Sequence, residues 1–569
     1  MEETKKRKSI AIGIEDFKEI IDNHAYFVDK TLIIRDIIDS QAKVTLFTRP
    51  RRFGKTLNLS MLRRFFEDER KADGTPVDNR HLFDGLAISR CGEEYLRHQQ
   101  KYPVIKMSLK SAKQPDFELA YGMLKRDIVK EFNRHRYILD GHSLTPEAEE
   151  RYRACLREDG EANLYADGLK FLSECLEQYH GTKAIILIDE YDVPLENAYL
   201  RGFYDQMIDF TRSLFESALK TNDSLQRGII TGCLRISWES IFTGLNNLAV
   251  DTVLHTAHGD AFGFTENEVK TLMEYYQQED LFAEVKEWYD GYRFGNREIY
   301  NPWSILNYVN DYIQKISKFP RPYWSNTSSN SIVRNLVRNA DAAARKDMET
   351  LMEGEAIRKQ VHEDITYDAV YDNQDNLWNF LYFTGYLKAV SEQQLEDDIY
   401  LNLTIPNREV RTIYRNSIQD WFRDEIKAAD LSPMRKALEE GDCDRISDFL
   451  SDKLMTTISY YDYDETYYHG FLTGLLTGMG GYDVLSNRES GTGRPDILLK
   501  TPRIRNGRAM ILELKVSDTF AAMEERCAEA LQQAKNRNYA AALRNEGYEN
   551  ISCYGICFYK KECLAAKAE

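Results

Sequence analysis

The chain has 569 residues, of which 43% are hydrophobic and 29% charged, the balance of a folded globular protein with several domains. Its net charge of −17 excludes a surface coated with phosphate-binding Lys and Arg, so any nucleic-acid binding must be local. No apolar run approaches the roughly 18 residues that span a bilayer, and no apolar core follows the charged N-terminal residues, as a secretory signal would require.

The nine cysteines are scattered, and only Cys553 and Cys557 are closely spaced. These two lie in an apolar run that predicts a strand. A metal site there would need two further ligands that the sequence does not supply, so cysteines in a packed core are the simpler interpretation. Reduced thiols and the missing signal predict a cytoplasmic protein without a membrane partner.

The first segment with recognisable chemistry is residues 48–56, Thr-Arg-Pro-Arg-Arg-Phe-Gly-Lys-Thr. An apolar run precedes it and apolar residues at helical spacing follow it, which predicts a strand, a tight loop and a helix. Backbone N–H groups at such a helix start face an anion, Lys55 adds a positive charge, and the Thr56 hydroxyl can bind Mg²⁺. The full phosphate-loop pattern has a glycine where this chain has Arg49, so the loop alone is weak evidence.

Two strands with nucleotide-site features are predicted further along. Residues 103–109 predict one strand, and the apolar run 184–188 predicts another that is buried on both faces of a parallel sheet. Asp189 and Glu190 follow that run at the carboxyl end, where ligands bind in open α/β sheets. We expect Asp189 to hold Mg²⁺ and Glu190 to polarise the attacking water. A solvated strand end is the alternative, but a phosphate loop requires such an acid nearby.

A further strand is predicted over residues 227–232, and its end should lie in the same crevice. Thr231 or Arg235 is therefore a candidate for sensing the γ-phosphate, although a single Arg after a strand is more often a surface residue. The stretch 116–180 before these strands is predicted to be helical and polar, and it contains little chemistry that the residue pattern identifies.

Several motifs together resemble the AAA-ATPase-like family, whose members often carry a C-terminal PD-(D/E)XK nuclease-like domain. They are residues 26–31 (YFVDKT), 49–56 (RPRRFGKT), 188–194 (IDEYDVP), 244–248 (GLNNL), 262–266 (FGFTE), 288–295 (WYDGYRFG), 300–303 (YNPW) and 323–326 (YWSN). In that family the loop RPRRFGK is usual, so Arg49 is expected within it.

The predicted nucleotide site takes ATP and Mg²⁺. Its residues are Arg52, Gly54, Lys55, Thr56, Asp189 and Arg235, with Thr56 and Asp189 on the metal and Glu190 as the catalytic group. Whether Arg51 and Arg52 hold phosphate or pack the loop stays open. After this site, residues 265–425 are predicted to be mostly helical, and the aromatic stretch 288–294 is better interpreted as a packed turn than as a base-stacking platform.

A second group of polar residues lies in the last 130 residues. Strands are predicted at 484–490, 496–499 and 509–516. Because side chains alternate along a strand, Glu513 and Lys515 share one face of an otherwise apolar segment, which is costly without a reason. Asp496 on the paired strand can approach Glu513, and the two carboxylates can hold a hard cation. A structural hairpin with an internal salt bridge is the alternative.

The pattern formed by Pro495-Asp496 and Glu513-Leu514-Lys515 resembles the PD-(D/E)XK nuclease core. The resemblance implies Asp496, Glu513, Lys515, Glu465 and Gln533 in one catalytic site, with Asp496 and Glu513 on the metal. His469 is four residues from Glu465 and would share its helix face, and Tyr539 follows Gln533 as in many such domains. Local phosphate contacts would come from Arg494, Lys500, Arg503, Arg505 and Arg508.

The predicted fold is α/β. It comprises a P-loop NTPase-type parallel sheet with helices on both faces (1–265), a mainly helical lid or connecting region (266–425), and an α/β restriction-endonuclease-like domain (426–569). We expect an ATP-binding, ATP-hydrolysing protein coupled to a Mg-dependent nuclease that acts on nucleic acid, DNA in preference to RNA, and that can form homo-oligomers. The alternatives are a nucleotide-dependent switch whose C-terminal domain binds nucleic acid or protein without cutting, and an ATPase with a structural hairpin.

Overall fold

In the computed structural model, five apolar runs of the N-terminal half form one parallel sheet. The strands are β1 (Val44–Thr48), β2 (Val104–Ser108), β3 (Ala184–Asp189), β4 (Leu225–Gly232) and β5 (Leu248–Asp251), in the order β2-β3-β4-β1-β5. Every residue of β3 is buried, as expected for a strand with helices on both faces of its sheet. The carboxyl ends of β1, β4 and β3 therefore lie side by side, with β4 in the middle.

Helices connect and cover these strands. In this part of the chain the α-helices are Phe17–Asp22, Leu32–Asp39, Lys55–Phe66, Glu93–Leu96, Phe117–Arg134, Pro146–Arg157, Ala162–Ala166, Gly168–His180, Val193–Arg201 and Tyr204–Phe215. A π-helical turn, Glu216–Lys220, ends the last of them.

The middle region is mainly helical and also contains two small antiparallel sheets that the sequence did not predict. Its α-helices are Glu266–Tyr276, Phe282–Tyr289, Pro302–Ile313, Ala342–Glu353, Gln374–Phe383 and the start of Arg408–Ala428. Its strands are β6 (Phe264–Thr265), β7 (Tyr292–Phe294), β8 (Arg297–Tyr300), β9 (Ile357–Gln360), β10 (Lys388–Leu395) and β11 (Asp398–Thr404). The stretch 288–294 is thus the end of a helix and a short strand.

The C-terminal part is a five-stranded mixed sheet with helices. Its strands are β12 (Asp483–Ser486), β13 (Ile497–Lys500), β14 (Arg508–Val516), β15 (Asn550–Tyr559) and β16 (Glu562–Lys567), neighbours in that order. Only β14 and β15 are parallel, and the helices Met523–Asn536 and Tyr539–Asn545 form the crossover between them. The other helices here are Ser432–Glu440, Cys443–Thr456 and Glu465–Gly478. The predicted fold class is confirmed.

The chain divides into two compact units, residues 1–329 with 356–411 and residues 330–355 with 412–569. The structure describes all residues except 1–6, 142, 159–160, 236–246, 325–332, 335–336, 339, 362, 364–373, 397, 429, 457–464, 487–494, 538 and 569. Arg494 and parts of the motifs at 244–248 and 323–326 therefore lie outside the described residues. Within the described part, no helix has both the length and the apolar character that a bilayer crossing requires.

Candidate functional sites

The loop after β1 is shaped by two residues with left-handed backbone. Gly54, which precedes the helix Lys55–Phe66, has φ +86°, and Arg52 has φ +70°. A Cβ at Gly54 would meet no atom within 4 Å, so the requirement for glycine there is conformational rather than steric. This turn places the first N–H groups of the helix, which lack intrahelical acceptors, at the carboxyl edge of the sheet.

Lys55 lies inside this loop and is 6% exposed. Its Nζ donates hydrogen bonds to the backbone oxygens of Arg49 at 2.8 Å and Pro50 at 2.9 Å, and lies 3.6 Å from Cys233 Sγ. The two carbonyls hold the ammonium at the start of the helix. Binding of a phosphate by this ammonium requires exchange of at least one of these hydrogen bonds.

The carboxylate of Asp189, at the end of β3, accepts hydrogen bonds from three residues. Its Oδ2 accepts a hydrogen bond from Thr56 Oγ1 at 2.7 Å, and its Oδ1 accepts from Thr231 Oγ1 at 2.5 Å and from the Glu190 N–H at 3.0 Å. Thr231 can reach Asp189 because β4 lies between the loop strand and the acid strand. Thr56 and Asp189, the two residues expected to bind Mg²⁺, are therefore direct neighbours.

Glu190 lines a cavity of about 350 Å³ beside the loop, together with Arg52, Gly54, Lys55 and Thr56. Its backbone is left-handed, with φ +53°. Burial and the neighbouring Asp189 charge raise the pKa of the Glu190 carboxyl. A carboxylate of raised pKa facing a cavity has the proton affinity that a general base needs.

Arg49, at the position of the missing glycine, points into the protein core and is fully buried. Its guanidinium donates to Asp251 Oδ1 at 2.9 Å, to the Asp251 carbonyl at 3.0 Å and to the Thr48 carbonyl at 2.9 Å. The rings of Phe262 and Phe294 lie 5.2 Å and 5.3 Å from it. Arg49 thus ties the loop to the end of β5. Sequence reasoning missed Asp251, because a single acid after a short strand carries no motif.

The other arginines of the prediction also have protein partners. Arg51 forms an ion pair with Glu196, and the Arg52 guanidinium lies 4.3 Å from the centre of the Trp303 ring. Arg235 pairs with Glu363 at 3.3 Å and is not among the described residues that line the cavity. Of these three, only Arg51 and Arg52 line the cavity.

Tyr191 and Asp192 link the acid strand to the residues after β4. Asp192 Oδ2 accepts hydrogen bonds from the N–H groups of Cys233 at 2.7 Å and Leu234 at 3.1 Å, and the Tyr191 hydroxyl donates to the Leu234 carbonyl at 2.6 Å. A Cβ at Gly232 would lie 2.5 Å from the Tyr191 ring, so this close approach requires glycine. The motif IDEYD signalled these two residues, but their roles were visible only from the packing.

The second group of residues surrounds the carboxyl half of β14. Glu513 is fully buried, and its Oε2 accepts a hydrogen bond from Gln533 Nε2 at 2.8 Å. Its Oε1 is buried and has no hydrogen bond of good geometry in the described part of the chain, while the Tyr539 hydroxyl and the Asp496 carboxyl lie near enough to the Glu513 carboxyl to affect its pKa. Burial and the nearby Asp496 carboxylate raise the pKa of Glu513 to about 8, and the Lys515 charge acts in the opposite direction. Asp496 Oδ2 accepts from the Leu514 N–H at 2.8 Å, which fixes it beside Glu513.

His469 also belongs to this group. Its Nε2 lies 2.9 Å from the Asp496 carbonyl and 3.1 Å from Ser486 Oγ. Glu465 is exposed at the first residue of the same helix, and none of the described contacts joins it to Asp496 or Glu513. Gln533 is on the helix Met523–Asn536, whereas Tyr539 begins the next helix rather than continuing the same one.

The predicted phosphate-binding cations near this group differ in their surroundings. Lys500 pairs with Glu546, and Arg508 donates to the Glu439 carbonyl at 3.0 Å. Arg503 and Arg505 are exposed to solvent. These two are therefore the cations best placed to meet a phosphate without losing an existing contact.

Both groups fit a divalent cation, although the described residues contain no cluster of three or more His, Cys, Asp or Glu side chains. At the first site, a hydroxyl and a carboxylate, Thr56 and Asp189, offer hard oxygen ligands, and a phosphate-bound Mg²⁺ takes its other ligands from phosphate and water. At the second site, Asp496 and Glu513 offer two carboxylates, one with an unpartnered buried oxygen. A cation would satisfy that oxygen.

Comparison with known families also separates the part of the chain that contains the first site from the part that contains the second. Residues 11–242 match the model of a predicted AAA-ATPase family, and residues 463–568 match the PD-(D/E)XK nuclease superfamily. The chain joins an AAA-ATPase-like region to a PD-(D/E)XK nuclease-like region. In the AAA-ATPase-like region the match contains the loop, Asp189 and Thr231, but it ends before Asp251, the partner of Arg49.

A relative extends over nearly the whole chain. It is an uncharacterized protein in the vnfD 5′ region of Azotobacter chroococcum mcd 1, 25% identical over 570 residues, which covers 97% of this chain and 96% of the relative. The similarity thus includes the middle region between the two family matches.

Proposed function

We propose that this protein binds and hydrolyses ATP and that it cleaves nucleic acid, DNA in preference to RNA, with a divalent metal. The observation that carries the nuclease half of the proposal is the Asp496–Glu513 pair, because two adjacent carboxylates with a buried oxygen supply the hard oxygen ligands that a divalent cation takes once the shared proton is displaced. A cytoplasmic location, assembly into homo-oligomers and the regional boundaries 1–265, 266–425 and 426–569 belong to the same proposal.

At the ATP site the loop and the helix start bind the phosphates, and Lys55 neutralises charge on them. Thr56 and Asp189 would hold Mg²⁺, which withdraws charge from the phosphate oxygens when bound. Thr231 keeps Asp189 oriented through its 2.5 Å hydrogen bond. Glu190 accepts the proton of the attacking water, a role that its raised pKa supports.

At the nuclease site Asp496 and Glu513 would hold Mg²⁺, which stabilises the charge that develops on a phosphodiester in the transition state. Lys515 orients or deprotonates the water that attacks the phosphorus. Gln533 holds Glu513 through the 2.8 Å hydrogen bond, and His469 fixes the backbone of Asp496. Arg503 and Arg505 bind the nucleic-acid backbone.

The nuclease proposal is tested with plasmid and linear DNA, and with RNA, in a titration of Mg²⁺ or Mn²⁺. We expect metal-dependent cleavage that Asp496→Ala abolishes, while Asp518→Ala, an exposed acid two residues beyond β14, retains it. Cleavage unchanged in Asp496→Ala would refute the site. Metal-dependent DNA binding without cleavage by the wild type would favour the nucleotide-dependent switch instead.

The ATPase proposal is tested by separating binding from hydrolysis. We expect Lys55→Ala to lower the affinity for Mg-ATP by on the order of a hundredfold, since it removes the ammonium that the Arg49 and Pro50 carbonyls hold at the start of the helix. Glu190→Gln should bind ATP normally and release no phosphate. Undiminished phosphate release by Glu190→Gln would refute its role, and wild-type ATP affinity in Lys55→Ala would refute the loop assignment.

A further inference from the structure

The cavity beside the phosphate loop is lined by both charged and apolar residues. Lys55, Thr56 and Glu190 line it at the loop, and other charged residues, among them Lys110, Lys113 and Glu196, line it as well. Its lining also contains apolar residues, and we call six of them the apolar compartment: Ile14, Tyr26, Val28, Phe264, Trp303 and Leu306. The phosphates of a nucleotide use only the polar lining residues, so the apolar compartment has no role in the function proposed above.

Three chain segments that are far apart in sequence form the apolar compartment. They are the N-terminal segment before β1, the strand β6 with Phe264, and the helix Pro302–Ile313, and the last two lie outside the AAA-ATPase-like match. Trp303 and Leu306 are three residues apart on that helix and share one face. Asn301 caps the helix by accepting the Trp303 N–H at 2.9 Å, and Trp303 Nε1 donates to the Tyr323 carbonyl at 3.3 Å. Trp303 is therefore held in place both at its backbone and at its indole ring.

Trp303 lines the cavity and lies next to the phosphate loop. The guanidinium of Arg52, a residue of the phosphate loop, lies 4.3 Å from the centre of its ring. Ala11, Gly13 and Ile14 also line the cavity, and their backbone N–H and C=O groups take part in none of the backbone hydrogen bonds found among the described residues. An aromatic ring beside free backbone donors and acceptors suits a flat heterocycle with a polar edge.

We propose that this apolar compartment binds the base and ribose of the nucleotide, with the Trp303 ring packed against the base. The inference rests on the proposed ATP site and extends it to residues of the middle region. Trp303 then contributes to the affinity for a nucleoside triphosphate but not to the affinity for its phosphates alone.

The experiment compares two probes, Mg-ATP and Mg-tripolyphosphate, by calorimetry with the full-length protein. Trp303→Ala should lower the affinity for ATP by on the order of tenfold, the loss expected for one base–aromatic stack, and leave the tripolyphosphate affinity unchanged. Trp288→Ala is the matched control, because Arg408 likewise lies over the Trp288 ring, at 5.0 Å, but Trp288 does not line the cavity. It should leave both affinities unchanged.

Fluorescence supplies a second measurement that does not depend on catalysis. ATP should change the wild-type tryptophan fluorescence, tripolyphosphate should not, and Trp303→Phe, which retains a ring, should lose the change while binding ATP within a few-fold of wild type. Equal losses of ATP and tripolyphosphate affinity in Trp303→Ala would overturn the inference, because Trp303 would then act through Arg52 on the loop; so would unchanged ATP affinity. If wild-type protein bound neither probe, the phosphate site itself would be refuted as well.

Discussion

The two candidate sites place an acid in or at the end of a buried strand, but they treat its charge in opposite ways. Asp189 has a hydrogen-bond donor on each oxygen, from Thr56, Thr231 and the Glu190 N–H. Glu513 has one donor, Gln533, while its other oxygen is buried without a partner. A second carboxylate, Asp496, lies beside it and helps to raise its pKa to about 8.

The difference indicates what each site requires from its ligand. The protein itself stabilises the Asp189 carboxylate, so under the proposed function this site is formed before any metal binds, and the phosphates would bring most of the cation's ligands. At the second site a cation would stabilise the Glu513 carboxylate and would first have to displace a proton. We therefore expect the first site to depend on its nucleotide, and the second on its metal and on pH.

The largest expected effect is on metal binding at the nuclease-like site. Because Glu513 is protonated below a pKa of about 8, a cation must release that proton, and the apparent Mn²⁺ affinity should rise about tenfold per pH unit, or about a hundredfold from pH 6 to pH 8. Above pH 8 it should level off. Calorimetry in buffers of different ionisation enthalpy would measure the affinity and the proton released.

Two variants sharpen this prediction. Asp496→Asn removes the neighbouring charge, so the pKa of Glu513 falls and the levelling-off should move to lower pH, with weaker binding overall. Glu513→Gln should bind Mn²⁺ poorly at every pH. An affinity that is flat from pH 6 to pH 8 in the wild type would mean that Glu513 is already ionised, and the contrast between the sites would fail.

The next prediction concerns stability at the two acids. Asp189→Asn should lower the free energy of unfolding by about 2 kcal/mol, because hydrogen bonds to a charged carboxylate are lost or weakened. Denaturation followed by tryptophan fluorescence reports mainly on residues 1–329 and 356–411, where five of the six tryptophans lie. Asp205→Asn, an exposed acid, is the control and should have no effect.

In metal-free protein, Glu513→Gln should raise the free energy of unfolding, whereas Asp189→Asn lowers it. A carboxyl whose folded pKa of about 8 exceeds its ordinary value of 4.5 contributes stability below pH 4.5 that is lost as the pH rises through 8. The glutamine does not titrate, so the variant should lose this pH dependence and be more stable than wild type at pH 8. A less stable variant at pH 8 would show that the ionised Glu513 is well compensated.

An effect of similar size is expected from Gln533, which donates to Glu513 at 2.8 Å. Gln533→Leu removes that donor and should weaken metal binding or cleavage by 10- to 100-fold, the usual range for a residue that orients a metal ligand. Gln532→Leu, at an exposed neighbouring residue whose amide bonds to Asn536, is the matched control. Equal effects in the two variants would show that helix stability, and not the contact with Glu513, is responsible.

The sequence predicted the fold class because its signals are local. The apolar run of β3, the helix start at Gly54 and the alternation around Glu513 each depend on neighbouring residues. The family resemblance extended the α/β prediction to both the AAA-ATPase-like and the nuclease-like regions. The two small sheets of the middle region were missed, because short antiparallel strands such as β7 have too few residues for a clear period.

Some contacts at the two sites could not be predicted from the sequence, and all of these contacts join residues that are distant in the chain. Arg49 could be recognised as unusual, but its burial against Asp251 depends on the pairing of β1 with β5. Thr231 was a candidate for sensing phosphate, and its hydrogen bond to Asp189 follows from the position of β4 between two other strands. Strand order is a tertiary property that no residue spacing encodes.

The smallest predicted effect concerns Asp192, a carboxylate of the first site that has an unpartnered oxygen as Glu513 does. Asp192 is 3% exposed and lines the cavity, and its Oδ1, like Glu513 Oε1, is buried without a partner in the described part of the chain. If such an oxygen marks a place where a cation or its water is bound, the charge of Asp192 favours Mg-ATP over metal-free ATP.

Asp192→Asn preserves the shape, and its amide oxygen can still accept the N–H groups of Cys233 and Leu234. We therefore expect ATP affinity in EDTA to stay within about twofold, and Mg-ATP affinity to fall by about threefold to tenfold, the range of one charge-assisted hydrogen bond. Titrations with and without Mg²⁺ measure both. Equal changes of affinity under the two conditions would mean that Asp192 only holds the turn after β4. An unpartnered buried oxygen would then indicate a cation site only where a second carboxylate lies beside it, as at Glu513.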